Sequence, residues 1–314
     1  MNLKKVVVIG GGTGTSTILR GLKYFPIDIT AIISVADNGR STGRLREEFS
    51  MPAMGDVRQV LSNLSFLPDD IRDIMEYRIS TYSDLNGHTM GNLLLTSFYQ
   101  KTGKLQTSIE YMSKLLDVKH KVLPLSEDCL TLRAETDDGE IIDGQKEIAT
   151  ANKKYKRISY KEAPNVLPDA LKAISKANLV VISTGSLFTS ILPHLACPEI
   201  VEAIQKSKAK VIYVCNAMTQ PGETDGFAVS DHIRTLEEYL GKNVIDSIIV
   251  SNNILPKRLL EKYASEEKKE QVRIDYENLK DYKLVESGLL TEVDGMIRHD
   301  SLKLAEVIFH YLIA

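Results

Sequence analysis

Three consecutive glycines end an apolar run in Val6-Val7-Val8-Ile9-Gly10-Gly11-Gly12-Thr13-Gly14-Thr15, and Ser16 and Thr17 follow at once. Glycine admits φ > 0 and lets a ligand come close to the backbone. The free N–H groups of a helix that starts there offer a seat for phosphate. On this reading Gly11, Gly12 and Gly14 shape the turn, and the Thr13 and Thr15 hydroxyls add polar contacts. The dinucleotide fingerprint G-x-G-x-x-G is incomplete, because Thr15 stands where the third glycine belongs. Tight packing of a helix on a strand would use the same glycines.

A second polar stretch, Asp37-Asn38-Gly39-Arg40-Ser41-Thr42-Gly43-Arg44-Leu45-Arg46, follows another apolar run. Asp37 and Asp56 offer hard oxygen ligands that would hold Mg²⁺ against a pyrophosphate. The competing reading has Asp56 capping the helix that opens at Gly55 and bonding Arg58. The Arg44 guanidinium matches phosphate oxygens, or else pairs with Glu47 or Glu48 on the surface. His88, between Gly87 and Thr89 at a helix start, is a candidate general acid or base, with a local hydrogen bond as the alternative. Asn92 is polar at an otherwise apolar helix start and implies a buried hydrogen bond. Asn216, Thr219, Gln220, Glu223 and Thr224 follow a very apolar strand and suit a hydroxylated ligand such as a sugar or ribose. No Ser-His-Asp or Cys-His nucleophile arrangement and no Walker A lysine stands out.

Positioning these groups requires a parallel α/β scaffold. Apolar runs at 28–35, 179–183, 210–215 and 244–250 each end in a loop rich in Gly, Ser, Thr, Asn or Asp. In an open parallel sheet such loops gather where ligands bind, at the carboxyl ends of the strands near the topological switch point. The loops at Gly10, Asp37, Thr184 and Asn216 are therefore expected to converge in one crevice. The first helix is predicted over Thr17 to Tyr24, and a short strand near Val272. Between 118 and 164, alternation as in Thr131-Leu132-Arg133-Ala134-Glu135-Thr136, with an Asp138-Gly139 turn, predicts a β-rich insertion. The expected fold is a single α/β domain over 1–314: a Rossmann-like, mostly parallel, doubly wound sheet carrying that insertion.

Composition sets the outer bounds. A hydrophobic share of 43 % with 26 % charged residues is ordinary for a globular chain. A formal net charge of −3 gives no support for bulk nucleic-acid binding. No apolar run approaches the roughly 20 residues of a membrane span. Met1-Asn2-Leu3-Lys4-Lys5 runs straight into the first strand, and three scattered cysteines lack metal-ligand spacing. The expectation is a cytoplasmic protein with reduced thiols.

Further motifs follow in fixed order: Gly55-Asp-Val-Arg58, Gly87-His-Thr-Met-Gly-Asn-Leu93, Gly185-Ser-Leu-Phe-Thr-Ser-Ile-Leu-Pro193, Asn216-Ala-Met-Thr-Gln-Pro-Gly-Glu-Thr-Asp225 and Ile297-Arg-His-Asp300. Together with the two glycine-bearing loops they resemble the YvcK-type gluconeogenesis factors, within the larger 2-phospho-L-lactate transferase (CofD) family. The resemblance spans nearly the whole chain. It implies a bacterial protein that binds a UDP-sugar such as UDP-N-acetylglucosamine and supports cell shape and cell-wall synthesis during gluconeogenic growth. A regulated protein partner and a homo-oligomer are compatible with it, and no cofactor is required for binding. The transferase branch instead moves a phospholactyl group from a guanosine diphosphate carrier to a deazaflavin with Mg²⁺. There, aspartates matching Asp37 and Asp56 lie near metal and diphosphate. Gly185 and Ser186 fall in a shared motif, and Tyr263 and Arg298 match positions that help hold the sugar nucleotide in the YvcK branch. The chain departs from the family pattern at Asn38, Arg40 and Thr42 in the second loop, at Ser183-Thr184 in place of Gly-Pro, and at His194 in place of asparagine. A dehydrogenase reading is disfavoured by the incomplete fingerprint and by the lack of an acidic residue roughly 20 positions beyond it.

Overall fold

Runs of β-branched residues make strands and the amphipathic stretches between them make helices, in regular alternation. The computed structural model describes residues 3–293 and 295–314. The first part of the chain forms β1 (Lys4–Gly10), α1 (Gly12–Leu22), β2 (Ile27–Ile33), α2 (Arg40–Phe49), α3 (Gly55–Leu64), α4 (Asp69–Glu76), α5 (Met90–Thr102), α6 (Leu105–Leu115) and β3 (Lys121–Pro124). A middle part contributes β4 (Leu132–Thr136), β5 (Ile141–Asp143), α7 (Gln145–Thr150) and β6 (Tyr155–Tyr160). The rest runs α8 (Pro168–Ser175), β7 (Leu179–Ile182), a π-helical turn Leu187–Ile191, α9 (Leu192–Leu195), α10 (Pro198–Lys206), β8 (Lys210–Val214) and α11 (Val229–Leu240). It ends in β9 (Ser247–Ser251), α12 (Lys257–Lys262), β10 (Leu284–Ser287), β11 (Leu290–Val293), β12 (Met296–His299) and α13 (Ser301–Ile313).

Seven strands form one parallel sheet in the order β10-β9-β8-β7-β1-β2-β3. The chain starts beside the central strand, winds outward through β2 to the edge at β3, and returns on the other side of β1 at β7. That reversal between β1 and β7 is the topological switch point, where the ends of adjacent strands splay and leave a crevice. Val6, Val8, Ile29, Ile32, Val180, Ile212 and Ile249 have no exposed surface, as expected of strands covered by helices on both faces. The Rossmann-like α/β expectation holds.

Three local expectations change. Helix α1 begins at Gly12, five residues before Thr17, because the glycine turn is itself the helix start. The residues near Val272 make only isolated bridges, Met218 with Gln271 and Ala228 with Arg273. The strands of that region are β10, which extends the main sheet, and the antiparallel pair β11–β12. The antiparallel insertion is also narrower than 118–164. Strand β3 pairs in parallel with β2 inside the main sheet, so the separate three-stranded sheet, ordered β5-β4-β6, begins at Leu132. Gly139 turns its hairpin at φ +85. Among the described residues no single helix is long and apolar enough to cross a membrane.

Candidate functional site

The switch point opens into a crevice of about 480 Å³. One wall is built from residues 11–14, 184–186 and 216–220 at the carboxyl edge of the sheet; the other is built from Tyr263, Lys269 and residues 296–299. Gly12, at φ +64, opens α1, and the N-cap Gly11 offers no side chain to its first turn. Apart from the Gly12 N–H, which meets Asp56, the leading N–H groups of the helix are therefore available to a ligand, with the positive end of the helix dipole behind them. A side chain on Gly14 would overlap the Thr184 carbonyl, so that glycine sets the distance between α1 and the loop after β7. Thr15 is buried, and its hydroxyl bonds the Gly11 carbonyl (3.1 Å) and the Ser183 hydroxyl (2.7 Å). Thr15 and Ser183, both at irregular positions in the motifs, thus form one interaction that ties α1 to the end of β7.

Most of the polar residues in the neighbouring loops hold one another. Asn216 Oδ1 accepts from Thr184 Oγ1 (2.7 Å) and the Gly185 N–H (2.9 Å), while its Nδ2 donates to the Gly185 carbonyl (2.6 Å). Buried Glu223 accepts from the Ser186 hydroxyl, the Phe188 N–H and Thr189. Burial raises its carboxyl above the ordinary range, against the opposing pull of those bonds. Thr224 Oγ1 accepts from the Gln220 N–H (2.8 Å). Thr219 exchanges two bonds with Glu270, at 2.7 and 2.9 Å, fastening the far wall to the near one. Thr15, Glu223 and Thr224 therefore position the crevice without lining it, whereas Gly11, Gly12, Thr13, Gly14, Gly185, Ser186, Asn216, Thr219 and Gln220 line it.

On the far wall Tyr263 is buried among Leu255, Leu259, Leu290 and Ile297, and its hydroxyl accepts from the Ile297 N–H (2.6 Å). That bond holds the β11–β12 pair against the crevice. Arg298 is exposed, and its guanidinium has no acidic partner among the described residues. Sequence reasoning missed Thr17, Ser190, Glu267, Lys269, Met296 and His299 as wall residues. His299 stood inside a quoted motif, but nothing local marked its side chain as buried against the crevice. Burial lowers its imidazole to about 4, so it is neutral.

The Asp37 loop does not open into this crevice. Asp37, Ser41, Asp56 and Asn92 line an adjoining pocket of about 400 Å³. The predicted single crevice is therefore divided in two where Asp56 and Gln59 of α3, lining the second cavity, pack against the glycine turn that lines the first. Gln59 Nε2 reaches Thr13 Oγ1 across it (3.1 Å), and a side chain on Gly11 would overlap Asp56 Oδ2. Asp56 does not cap its helix: Met54 occupies the N-cap of α3 and no side chain caps it. Its carboxyl accepts instead from the Gly12 N–H, and burial followed by the nearby Asp37 pushes it up to about 7. Two carboxylates suit Mg²⁺ when substrate phosphates complete its shell. Asp37 and Asp56 fit that donor set, and among the described residues no group of three or more candidate ligands joins them.

Arg44 and His88 line neither cavity. Arg44 donates to the carbonyls of Asp84 (3.1 Å) and Asn86 (2.5 Å), so it neither faces a ligand nor pairs with Glu47 or Glu48. His88 is buried, and its Nδ1 bonds Ser41 Oγ (2.8 Å), which also accepts from Asn92 Nδ2 (3.1 Å). Burial first, then Arg44, lower its pKa. His88 thus makes the local hydrogen bond that was the alternative to acid–base chemistry. Asn38 Oδ1 accepts from the Lys146 N–H (2.7 Å) and its Nδ2 donates to Glu147 (2.6 Å), joining the second loop to the insertion.

Comparison with known proteins agrees with this architecture. The profile of the family described as 2-phospho-L-lactate transferase CofD matches residues 6–289. A protein of Halalkalibacterium halodurans named gluconeogenesis factor is 43 % identical over 311 residues, covering 98 % of this chain and 96 % of that one. A Bacillus subtilis protein of the same name is 40 % identical over 311 residues, covering 98 % of each. The crystal structure of a UPF0052 family member from Bacillus halodurans superposes with a TM-score of 0.93 at 42 % identity, covering 97 % of this chain and 99 % of that one.

Proposed function

The chain belongs to the 2-phospho-L-lactate transferase (CofD) family, and from that premise we propose that its switch-point crevice binds a nucleotide diphosphate sugar of the UDP-N-acetylglucosamine type. The binding serves regulation of growth on gluconeogenic carbon, a role supported by the similarity to proteins named gluconeogenesis factor, and in this reading cell shape and wall synthesis are its output. The observation that carries the reading is the uncapped start of α1 facing Arg298 across the crevice. A diphosphate bound there would take backbone N–H groups on one side and a guanidinium on the other. The crevice volume lies within the range of small-molecule sites. Gln220, whose Oε1 is buried without a partner among the described residues, borders the same space and supplies a polar group for a sugar or ribose.

Calorimetric titration with UDP-N-acetylglucosamine, UDP-glucose, GDP and NAD tests the reading. UDP-sugars are expected to bind and the other two to bind more weakly. Absence of heat from every UDP-sugar up to near-millimolar concentration would remove it. One observation favours a second reading, Mg²⁺-dependent transfer from a nucleotide-diphosphate donor: Asp37 and Asp56 lie just beyond the glycine turn. That reading requires turnover with Mg²⁺, donor and acceptor that disappears in Asp56→Asn.

A further inference from the structure

Among the described residues the switch-point crevice is lined by three charged side chains, Arg298, Lys269 and Glu267. His299, on the same wall, is kept neutral by burial. Lys269 and Glu267 are committed to each other, Nζ to Oε2 at 2.6 Å, and each side chain is 32 % exposed. A diphosphate diester carries a negative charge on each phosphate. Arg298 answers one of them, and the second cation of the crevice is already held by a carboxylate that lines the same space.

The backbone around the pair is fixed, so a change of partner needs only side-chain rotation. The Lys269 N–H donates to the Tyr263 carbonyl (3.1 Å), and Glu270 is tied to Thr219 by the two bonds already described. Between the pair, Lys268 takes φ 52 and turns the chain out of the π-helical turn Tyr263–Glu267. An ion pair this exposed contributes little to stability. Exchanging it for a bond from the ammonium to a phosphate oxygen therefore costs little and gains a charge-assisted contact. The exchange has a consequence for Glu267. A carboxylate only accepts hydrogen bonds, so once Lys269 turns away it calls for a donor. Gln220 Oε1, buried without a partner among the described residues and on the wall of the same crevice, calls for one too. Hydroxyl and amide groups of a sugar supply such donors. A carboxylate on the sugar supplies none and repels Glu267, in a cleft where charges are screened less than on an open surface.

We propose that Glu267 and Lys269 are the specificity pair of this crevice. Lys269 passes from Glu267 to the diphosphate, and the released carboxylate accepts from the sugar and turns anionic sugars away. The inference rests on the nucleotide-sugar reading and narrows its substrate class to nucleotide diphosphates of uncharged sugars. UDP-glucose and UDP-glucuronic acid differ only in a hydroxymethyl group against a carboxylate, and calorimetric titration of both into the full chain is the test. The parent is expected to prefer UDP-glucose at least tenfold. Glu267→Gln should shrink that preference to threefold or less, chiefly by tightening UDP-glucuronic acid. Lys269→Met should weaken both ligands about fivefold or more without shrinking the preference. The two variants thus move the ratio differently, which a merely structural pair would not do. In the parent, the preference should also shrink between about 0.05 M and about 0.5 M salt, as like-charge repulsion is screened. If Glu267→Gln melts well below the parent, that salt dependence decides. A preference unchanged in a folded Glu267→Gln, indifferent to salt, or absent from the parent overturns the proposal while UDP-glucose binding leaves the nucleotide-sugar reading standing. A parent that binds no UDP-sugar removes both.

Discussion

The two cavities on either side of the glycine turn are built in opposite ways. Around the switch-point crevice, Thr15, Asn216, Thr219, Glu223 and Thr224 bond the hydroxyls of Ser183, Thr184 and Ser186 or the backbone, and little side-chain polarity is left for a ligand. That cavity presents mainly backbone N–H groups, with Arg298 as a charge that has no acidic partner among the described residues. In the adjoining pocket Arg40, Arg78 and Lys146 have no acidic partner among the described residues. The difference shows that a polar loop at a strand end has two separate uses. Some of its residues set the shape of a site, and others meet what enters it.

The contrast is broken most directly at the glycines. Gly14→Val drives a side chain into the Thr184 carbonyl, and the backbone of both elements would have to move. A loss of about 3 kcal/mol or more in urea unfolding is expected, at the upper end of overpacking effects, together with loss of nucleotide binding. A variant as stable as the parent would mean that α1 and the β7 loop are not held at that distance. Glu223→Ala comes next. It leaves the Phe188 N–H and the Ser186 and Thr189 hydroxyls without their shared acceptor, at a cost of about 2 kcal/mol in the same assay. If Glu223 instead contacted ligand, affinity would fall while stability stayed. Arg298→Ala should show the reverse pattern. Being exposed and without an acidic partner among the described residues, it should leave stability alone, while UDP-sugar affinity falls about tenfold, or about 1.4 kcal/mol.

The division between shaping and contacting residues also marks the limit of what the sequence discloses. The sheet was legible because each buried strand is a β-branched run ending in a polar loop, and the glycine turn because three successive glycines rarely follow such a run without reason. The second loop could be placed at a strand end but not in its own cavity, since the partition arises only when α3 brings Asp56 against Gly11 and Gly12. Arg44 looked like a phosphate ligand because its chemistry permits it. Its actual partners are the carbonyls of Asp84 and Asn86, forty residues away, which no local pattern announces. The β11–β12 pair was illegible for a similar reason. Its short strands carry little periodicity, and it is held in place by the Tyr263 hydroxyl and an apolar cluster drawn from three separate segments.

The smallest expected effect falls on the partition itself, at Asp56. Its carboxyl is pushed from 3.8 to about 7, chiefly by burial and then by Asp37. A raised acid holds its proton more tightly in the folded chain than in the unfolded one. Its contribution to stability is therefore full below about pH 4 and is lost as the pH rises through about 7. Asp56→Asn keeps an acceptor for the Gly12 N–H and removes the titration. The variant should be more stable than the parent at pH 8 by about 1 kcal/mol, well short of the full shift because the side chain keeps some solvent contact. The two should converge near pH 4. The same carboxylate, once ionised, repels phosphate across the turn. UDP-sugar affinity in metal-free buffer should weaken between pH 6 and 8 in the parent and stay flat in Asp56→Asn. If it does not respond, Asp56 belongs to the adjoining pocket alone. If the variant loses affinity in the presence of Mg²⁺ at every pH, the carboxylate acts through a metal, and the transfer reading gains over regulation.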